Sequence, residues 1–224
     1  MTLKLLIGNK NYSSWSLRPW LLLKAFGIAF DEEVVLLGDA DFKARIAAHS
    51  PARQVPVLID GEVAVWETLA IIEHIAERFP DTPIWPAAPA ARAYARSIAT
   101  EMHGGFGALR SAVPMNLWRP VELRELPAKA VADLDGITAR WRSARQRFGA
   151  GGDFLFGGFS AADAMYAPVA TRIRTYGLPV DAVSAAYVEA IHAHPAFAEW
   201  KAAALKEEQV LPVDEVDWPE VKRV

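Results

Sequence analysis

Two hydrophobic rhythms divide the chain. Up to about residue 80 the apolar positions come in short runs, and beyond residue 90 they fall in long rows at helical spacing. Leu3 to Ile7 is nearly continuous in apolar residues and predicts a buried strand. Gly8 to Trp15 is a polar loop. Leu17, Trp20, Leu21 and Lys24 then recur at one-turn spacing, which predicts a helix from Ser16 to Gly27. Ser16 is its expected N-cap, Pro19 lies in its expected first turn and Gly27 is its stop. Glu33 to Leu37 reads as a second strand and Asp41 to Ala48 as a short helix. A third strand opens on Pro56. Asp60-Gly61, a hairpin signal, leads into a fourth strand from Glu62 to Trp66. From Glu67 to Phe79, the residues Leu69, Ile72, Ala76 and Phe79 share one helical face.

The predicted order over residues 1–80 is β-α-β-α-β-β-α, a mixed α/β sheet of the thioredoxin-like kind. Prolines at 80, 83, 86 and 89 mark a linker over residues 81–89. Strand-like alternation then stops. Helices are predicted over Ala90 to Ala112, Pro120 to Phe148, Ser160 to Tyr176, Val183 to His192 and Ala196 to Glu208, so residues 90–224 form an all-α domain. The tail, Leu211 to Val224, has no predicted element.

Composition narrows the chemistry. Hydrophobic residues make up 52%, enough for a substantial core, and the net charge of −3 argues against a nucleic-acid partner held by a basic surface. No apolar run approaches the ~20 residues that span a bilayer, and the start is broken too early to act as a leader, so a cytoplasmic protein without a membrane partner is expected. There is no cysteine. Disulfides, thiolate-metal sites, cysteine nucleophiles and intrinsic dithiol chemistry are thereby excluded. Any thiol in the reaction must arrive with a ligand.

The chemistry gathers at two junctions. Val55-Pro56 withholds a backbone donor at the head of a strand and leaves its neighbours free to pair with an extended peptide. Glu67 and Thr68 open the next helix with a carboxylate and a hydroxyl suited to a peptide's charged end. Gln54-Val55-Pro56, Asp60-Gly61 and Glu67-Thr68 together resemble the glutathione site of the cytosolic glutathione transferases. The resemblance implies a cis peptide at Val55-Pro56 and backbone pairing of Val55 with the cysteinyl residue. It also implies contacts from Glu67 and Thr68 to the γ-glutamyl end, and from Arg53 to the glycyl carboxylate. Thr68 stands where many members carry serine.

The second junction is the loop entering the first helix. A helix N-terminus favours an anion, here a thiolate, and a hydroxyl beside the sulfur lowers the thiol pKa further. Ser13-Ser14-Trp15-Ser16-Leu17-Arg18 is similar to the Ser-Ser-Cys-Ser-Trp-Arg signature of the zeta-class transferases. The similarity implies Ser13 as the catalytic hydroxyl, Ser14 beside it, and Arg18 as the family's arginine. Tyr12 is the competing donor. Trp15 departs from the pattern, and the cysteine it replaces is tied to maleylacetoacetate isomerisation. Ser13→Ala is expected to cut conjugation and leave the fold intact.

In the helical part, Gly104, Gly105 and Gly107 suggest close approach of a backbone or ligand. By resemblance this helix lines the second-substrate pocket, with His103, Phe106, Arg110 and Met115 as candidates and Trp15 and Trp118 as apolar walls. Trp66, Trp141 and Trp200 are expected packing anchors, and His74, His192 and His194 are isolated. Ser160 and Asp163 form an expected capping box. The resemblance implies a glutathione transferase: glutathione as co-substrate, no metal, a partly apolar electrophile and a homodimer. The alternatives are a non-catalytic binding or adaptor protein of the same fold and a glutathione-dependent isomerase or reductase.

Overall fold

The structure, a computed structural model, describes residues 2–118, 121 and 125–216. A four-stranded mixed sheet has β1 (Leu3–Ile7) at its centre, parallel to β2 (Phe30–Val34) and antiparallel to β3 (Val57–Asp60), with β4 (Val63–Trp66) beyond β3. Helices α1 (Ser14–Ala25), α2 (Phe42–Ala47) and α3 (Thr68–Arg78) belong to this part. A helical part follows: α4 (Pro89–Gly104), α5 (Gly107–Ala112), α6 (Ala128–Phe148), α7 (Ala161–Thr175), α8 (Ala182–Ala193) and α9 (Pro195–Ala204), then a 3-10 turn at Pro212–Asp214. This is the expected fold class.

Several boundaries differ from the expectation. The second strand runs from Phe30 to Val34, because pairing with β1 sets its register from Leu3↔Phe30 to Ile7↔Val34. Acidic residues are tolerated there because it is an edge strand, and Glu32 accepts from Lys10 Nζ and Trp20 Nε1. The hairpin turn is Gly61-Glu62, with Gly61 at φ +62 and Asp60 already paired to Val63. Asp60 instead meets His74 Nε2 at 3.1 Å and Arg78 Nε at 3.5 Å, so His74 is partnered.

The helix predicted over 90–112 is two helices. Gly105 is extended and Phe106 left-handed at φ +56, and the Asp133 carboxylate accepts the Leu109 N–H of the restarted helix at 2.9 Å. The next helix begins at Ala128, after Pro127; of the earlier start predicted at Pro120, residues 119, 120 and 122–124 lie outside the described residues. The last long helix ends at Ala204.

The core is built around α7, in which every residue but Arg174 is buried, and α7 packs on α1, α4 and α8. At its start, the Asp163 carboxylate reaches back to the Ser160 N–H at 2.9 Å, the expected capping box. The Ala161 N–H donates to the Ile84 carbonyl at 2.8 Å, and Ile84 and Trp85 are buried. The proline-bearing segment before α4 is thus fastened to the central helix. Trp141 and Trp200 are fully buried, as expected of packing anchors, whereas Trp66 is exposed on the edge strand.

Candidate functional site

The loop before α1 is polar, and its groups are held from the far end of the chain. Glu207 accepts the backbone N–H groups of Lys10 at 2.6 Å and Asn11 at 2.9 Å. Trp200 Nε1 donates to the Lys10 carbonyl, and Asn9 Nδ2 donates to Gln209. The Tyr12 hydroxyl donates to Glu215 at 2.6 Å, and burial pushes its pKa well up. Tyr12 is therefore neutral and engaged, and it packs edge-on against Trp118.

This anchored loop sets the start of α1. The N-cap is Ser13, one turn earlier than Ser16; its Oγ accepts the Ser16 N–H at 3.4 Å. Ser16 instead serves the loop: its hydroxyl accepts the Gly8 N–H at 3.0 Å and shares a 2.7 Å hydrogen bond with the Ser13 hydroxyl. The Ser14 hydroxyl has no partner among the described residues. Since α1 begins at Ser14, Pro19 is an interior residue and leaves the Trp15 carbonyl without its helical donor. The buried Thr68 hydroxyl supplies the missing bond at 3.1 Å. The residue expected to touch the γ-glutamyl end thus spends its hydroxyl proton on α1.

Around that bond lies a cavity of about 170 Å³, lined by Trp15, Gln54, Val55, Pro56, Glu67, Thr68 and His103 among others. Val55-Pro56 is cis. Neither Gln54 nor Val55 makes a backbone hydrogen bond with a described residue. Glu67 sits at φ +70, a conformation that costs about 1–3 kcal/mol and clusters at functional sites. It caps no backbone donor of α3, so the first N–H groups of that helix have no side-chain cap. Its carboxylate stands 3.4 Å from His103 Nε2. His103 therefore belongs to this cavity and not to the expected second pocket. Arg53, at φ +53, is exposed and lines neither cavity.

A larger cavity, about 650 Å³, adjoins the first, since Trp15, Gln54 and Val55 wall both. Ser13, Ser14, Arg110, Met115, Arg172 and Asp214 also line it. The guanidiniums of Arg18 and Arg110 lie over the Trp15 ring, at 4.1 Å and 4.7 Å from its centre. Arg18 is buried, donating to the Met165 and Ser14 carbonyls, and does not reach Glu67. Phe106 lies outside this cavity: its ring packs under the Arg140 guanidinium at 5.6 Å and lines a different cavity. Trp118 is also elsewhere, donating to the Ala204 carbonyl. Among the described residues no cluster could hold a metal ion, and no helix is long and apolar enough to cross a membrane.

The family model for the glutathione S-transferase N-terminal domain matches residues 12–78, and that for the C-terminal domain matches residues 120–203. The chain belongs to the cytosolic glutathione S-transferase superfamily. It is 35% identical over 99 residues to a probable maleylacetoacetate isomerase of Caenorhabditis elegans, covering 44% of this chain and 45% of that one. It is 33% identical over 76 residues to a zeta-class glutathione S-transferase of Euphorbia esula, 34% of each chain. A Coxiella burnetii stringent starvation protein A homolog is 26% identical over 132 residues, 58% of each. The chain thus spans about half the length of the curated relatives it matches. A Burkholderia glutathione transferase homolog with bound glutathione superposes with a TM-score of 0.68 at 20% identity, covering 93% of this chain and all of that one. A diazinon-metabolizing glutathione S-transferase of Bombyx mori superposes at 0.73 and 17%, covering 96% and all. These two likenesses establish the fold.

Among the residues that wall these cavities, sequence reasoning gave Gln54 no role of its own and did not single out Arg172 or Asp214. Arg172 had a signal: a cation amid the near-continuous small and apolar residues of α7. Asp214 had none, because only the folded tail carries it to the cavity.

Proposed function

We propose that the protein binds glutathione in the smaller cavity and ionises its thiol at the mouth of the larger one, for attack on an electrophile held there. Residues 1–80 then supply the glutathione site and residues 90–224 most of the second pocket. The unpaired backbone of Val55 pairs with the cysteinyl residue. The free N–H groups at the start of α3, with Glu67, take the γ-glutamyl end, and Arg53 reaches the glycyl carboxylate from outside the cavity. The sulfur then lies over the first turn of α1, where Ser13 and Ser14 present hydroxyls and the helix end favours negative charge. Proximity to the bound electrophile supplies much of the rate.

The observation that carries this reading is the shared wall. Trp15, Gln54 and Val55 border both cavities, so a tripeptide seated in one brings its side chain to the other. The electrophile, the cytoplasmic location and the homodimer follow from the family reading. Calorimetric titration with glutathione, followed by the ultraviolet absorbance of the bound thiolate near neutral pH, tests it. Binding with ionisation is expected. Binding without ionisation would favour a ligand-binding protein of this fold, and no binding would overturn the reading.

A further inference from the structure

The larger cavity is not the apolar pocket expected from sequence. Arg172 is only 4% exposed, yet it lines this cavity and forms no ion pair with a described residue. Its Nε donates to the Val113 carbonyl at 2.8 Å and one Nη1 hydrogen to the Pro168 carbonyl at 3.1 Å. Nη2 bonds nothing among the described residues and is left to the cavity. Arg110 lines the same wall with a single long bond, 3.4 Å, to the Gly105 carbonyl, and it too lacks a carboxylate. Arg172 and Arg110 both disfavour the charge on the nearby Arg18. Burial, then Arg110, pushes Arg172 down to about 10, and burial pushes Arg18 and Arg110 down.

The acidic groups on this side balance them only in part. Asp214 lines the cavity and attracts Arg172, but its carboxylate is not within ion-pair distance, and burial raises its pKa. Glu215 accepts from Tyr12 and Asn116. An enclosed guanidinium with unfilled donors is costly unless an anion completes it, and a planar fork of donors matches a carboxylate.

Building on the function proposed above, we infer that Arg172 and Arg110 form an anion subsite in the second cavity, and that the electrophile carries a carboxylate. The carboxylate is a handle and takes no part in the bond changes. In a substitution, the thiolate sulfur bonds to the electrophilic carbon and the leaving group departs with its electron pair. Arg172 and Arg110 hold the far end so that this carbon faces the start of α1.

A matched pair of probes tests the subsite: 4-chloro-3-nitrobenzoate and its methyl ester. Glutathione sulfur displaces chloride from both, and each rate is divided by the uncatalysed rate with glutathione. The normalised kcat/KM of the acid is expected to exceed that of the ester by about tenfold or more, through a lower KM, as suits a charge-assisted contact in an enclosed site. Arg172→Gln and Arg110→Gln should each shrink that ratio. Arg172 also ties two carbonyls of the fold, so Arg110→Gln carries the decision if the other variant does not fold. Equal values for acid and ester, or a ratio that Arg110→Gln leaves untouched, would overturn the subsite. A rise in the KM for glutathione with the ratio unchanged would also overturn it, because the pair would then serve the tripeptide. If glutathione itself does not bind, the function proposed above fails, and calorimetry with 3-nitrobenzoate alone still decides the subsite. Saturable binding weakened in Arg110→Gln supports it, and absence of binding refutes it.

Discussion

The Thr68 hydroxyl donates to the Trp15 carbonyl at 3.1 Å, the acceptor that Pro19 strips of its helical donor. One hydrogen bond therefore joins the start of α3 to the first turn of α1, the two places where glutathione is proposed to sit. Thr68→Val removes the donor and keeps the shape. The expected loss is about 1 kcal/mol of stability, the net worth of a buried hydrogen bond, with a higher KM for glutathione. Thr68→Ser should stay near wild type. Chemical denaturation with steady-state kinetics checks both, and a Thr68→Val protein with unaltered stability would show that the bond does not couple the helices.

Ser13 and Ser14 should separate in their effects. Ser13 caps α1 and bonds Ser16, so Ser13→Ala is expected to lower stability by about 0.5–2 kcal/mol as well as activity. The fold is still expected to stay intact, at reduced stability. Ser14 has an unengaged hydroxyl, so Ser14→Ala should raise the pKa of bound glutathione's thiol with little change in unfolding midpoint. Thiolate absorbance against pH reads the first effect and urea titration the second. Identical behaviour of the two variants would contradict this division.

Glu207 holds the loop from which Ser13 and Ser14 are proposed to act on the thiol. Glu207→Gln replaces one acceptor oxygen by a donor facing the backbone N–H of Lys10 or Asn11, which costs about 1–3 kcal/mol where that group stays enclosed. The expected signature is a higher thiol pKa and lower kcat, with a smaller change in the KM for glutathione, because Glu207 lines neither cavity. A drop in stability with an unmoved thiol pKa would make the contact purely structural.

His192 makes stability depend on acidity. Its ring packs edge-on against Phe197 at 4.6 Å, and its buried Nε2 has no hydrogen-bond partner among the described residues. Burial first, with Arg174 and Lys201 adding, pushes the imidazole down from 6.5 to about 4. The unfolded chain accepts this proton near pH 6.5 and the folded chain only near 4, so the contribution is complete above 6.5 and lost as pH falls through that window. Urea midpoints measured between those pH values should fall more steeply for wild type than for His192→Phe. Parallel curves would assign the acid sensitivity to other groups.

What could be read from the sequence was mostly local. Val55-Pro56 and Glu67-Thr68 were visible because proline chemistry, hairpin punctuation and a helix start act within a few residues. The cap of α1 slipped because Ser13 and Ser16 are the same residue type one turn apart, and only the tethered loop chooses between them. The three glycines before Arg110 signalled a disturbance but not its form, a helix broken at a left-handed Phe106, nor that Phe106 lines a different cavity. Arg172 left a signal as a cation within an apolar helix, but its meeting with Asp214 in one cavity was out of reach: about forty residues separate them, and no periodicity relates a buried helix to that turn.

Residues 9–12 are tied to partners at 200, 207, 209 and 215. A ribosome releases those partners well after the last strand of the sheet, which ends at Trp66. Nascent chains can therefore assemble the β framework before the loop at residues 9–12 acquires its tethers. A chain cut before residue 200 would leave that loop untethered, however well its first eighty residues had folded.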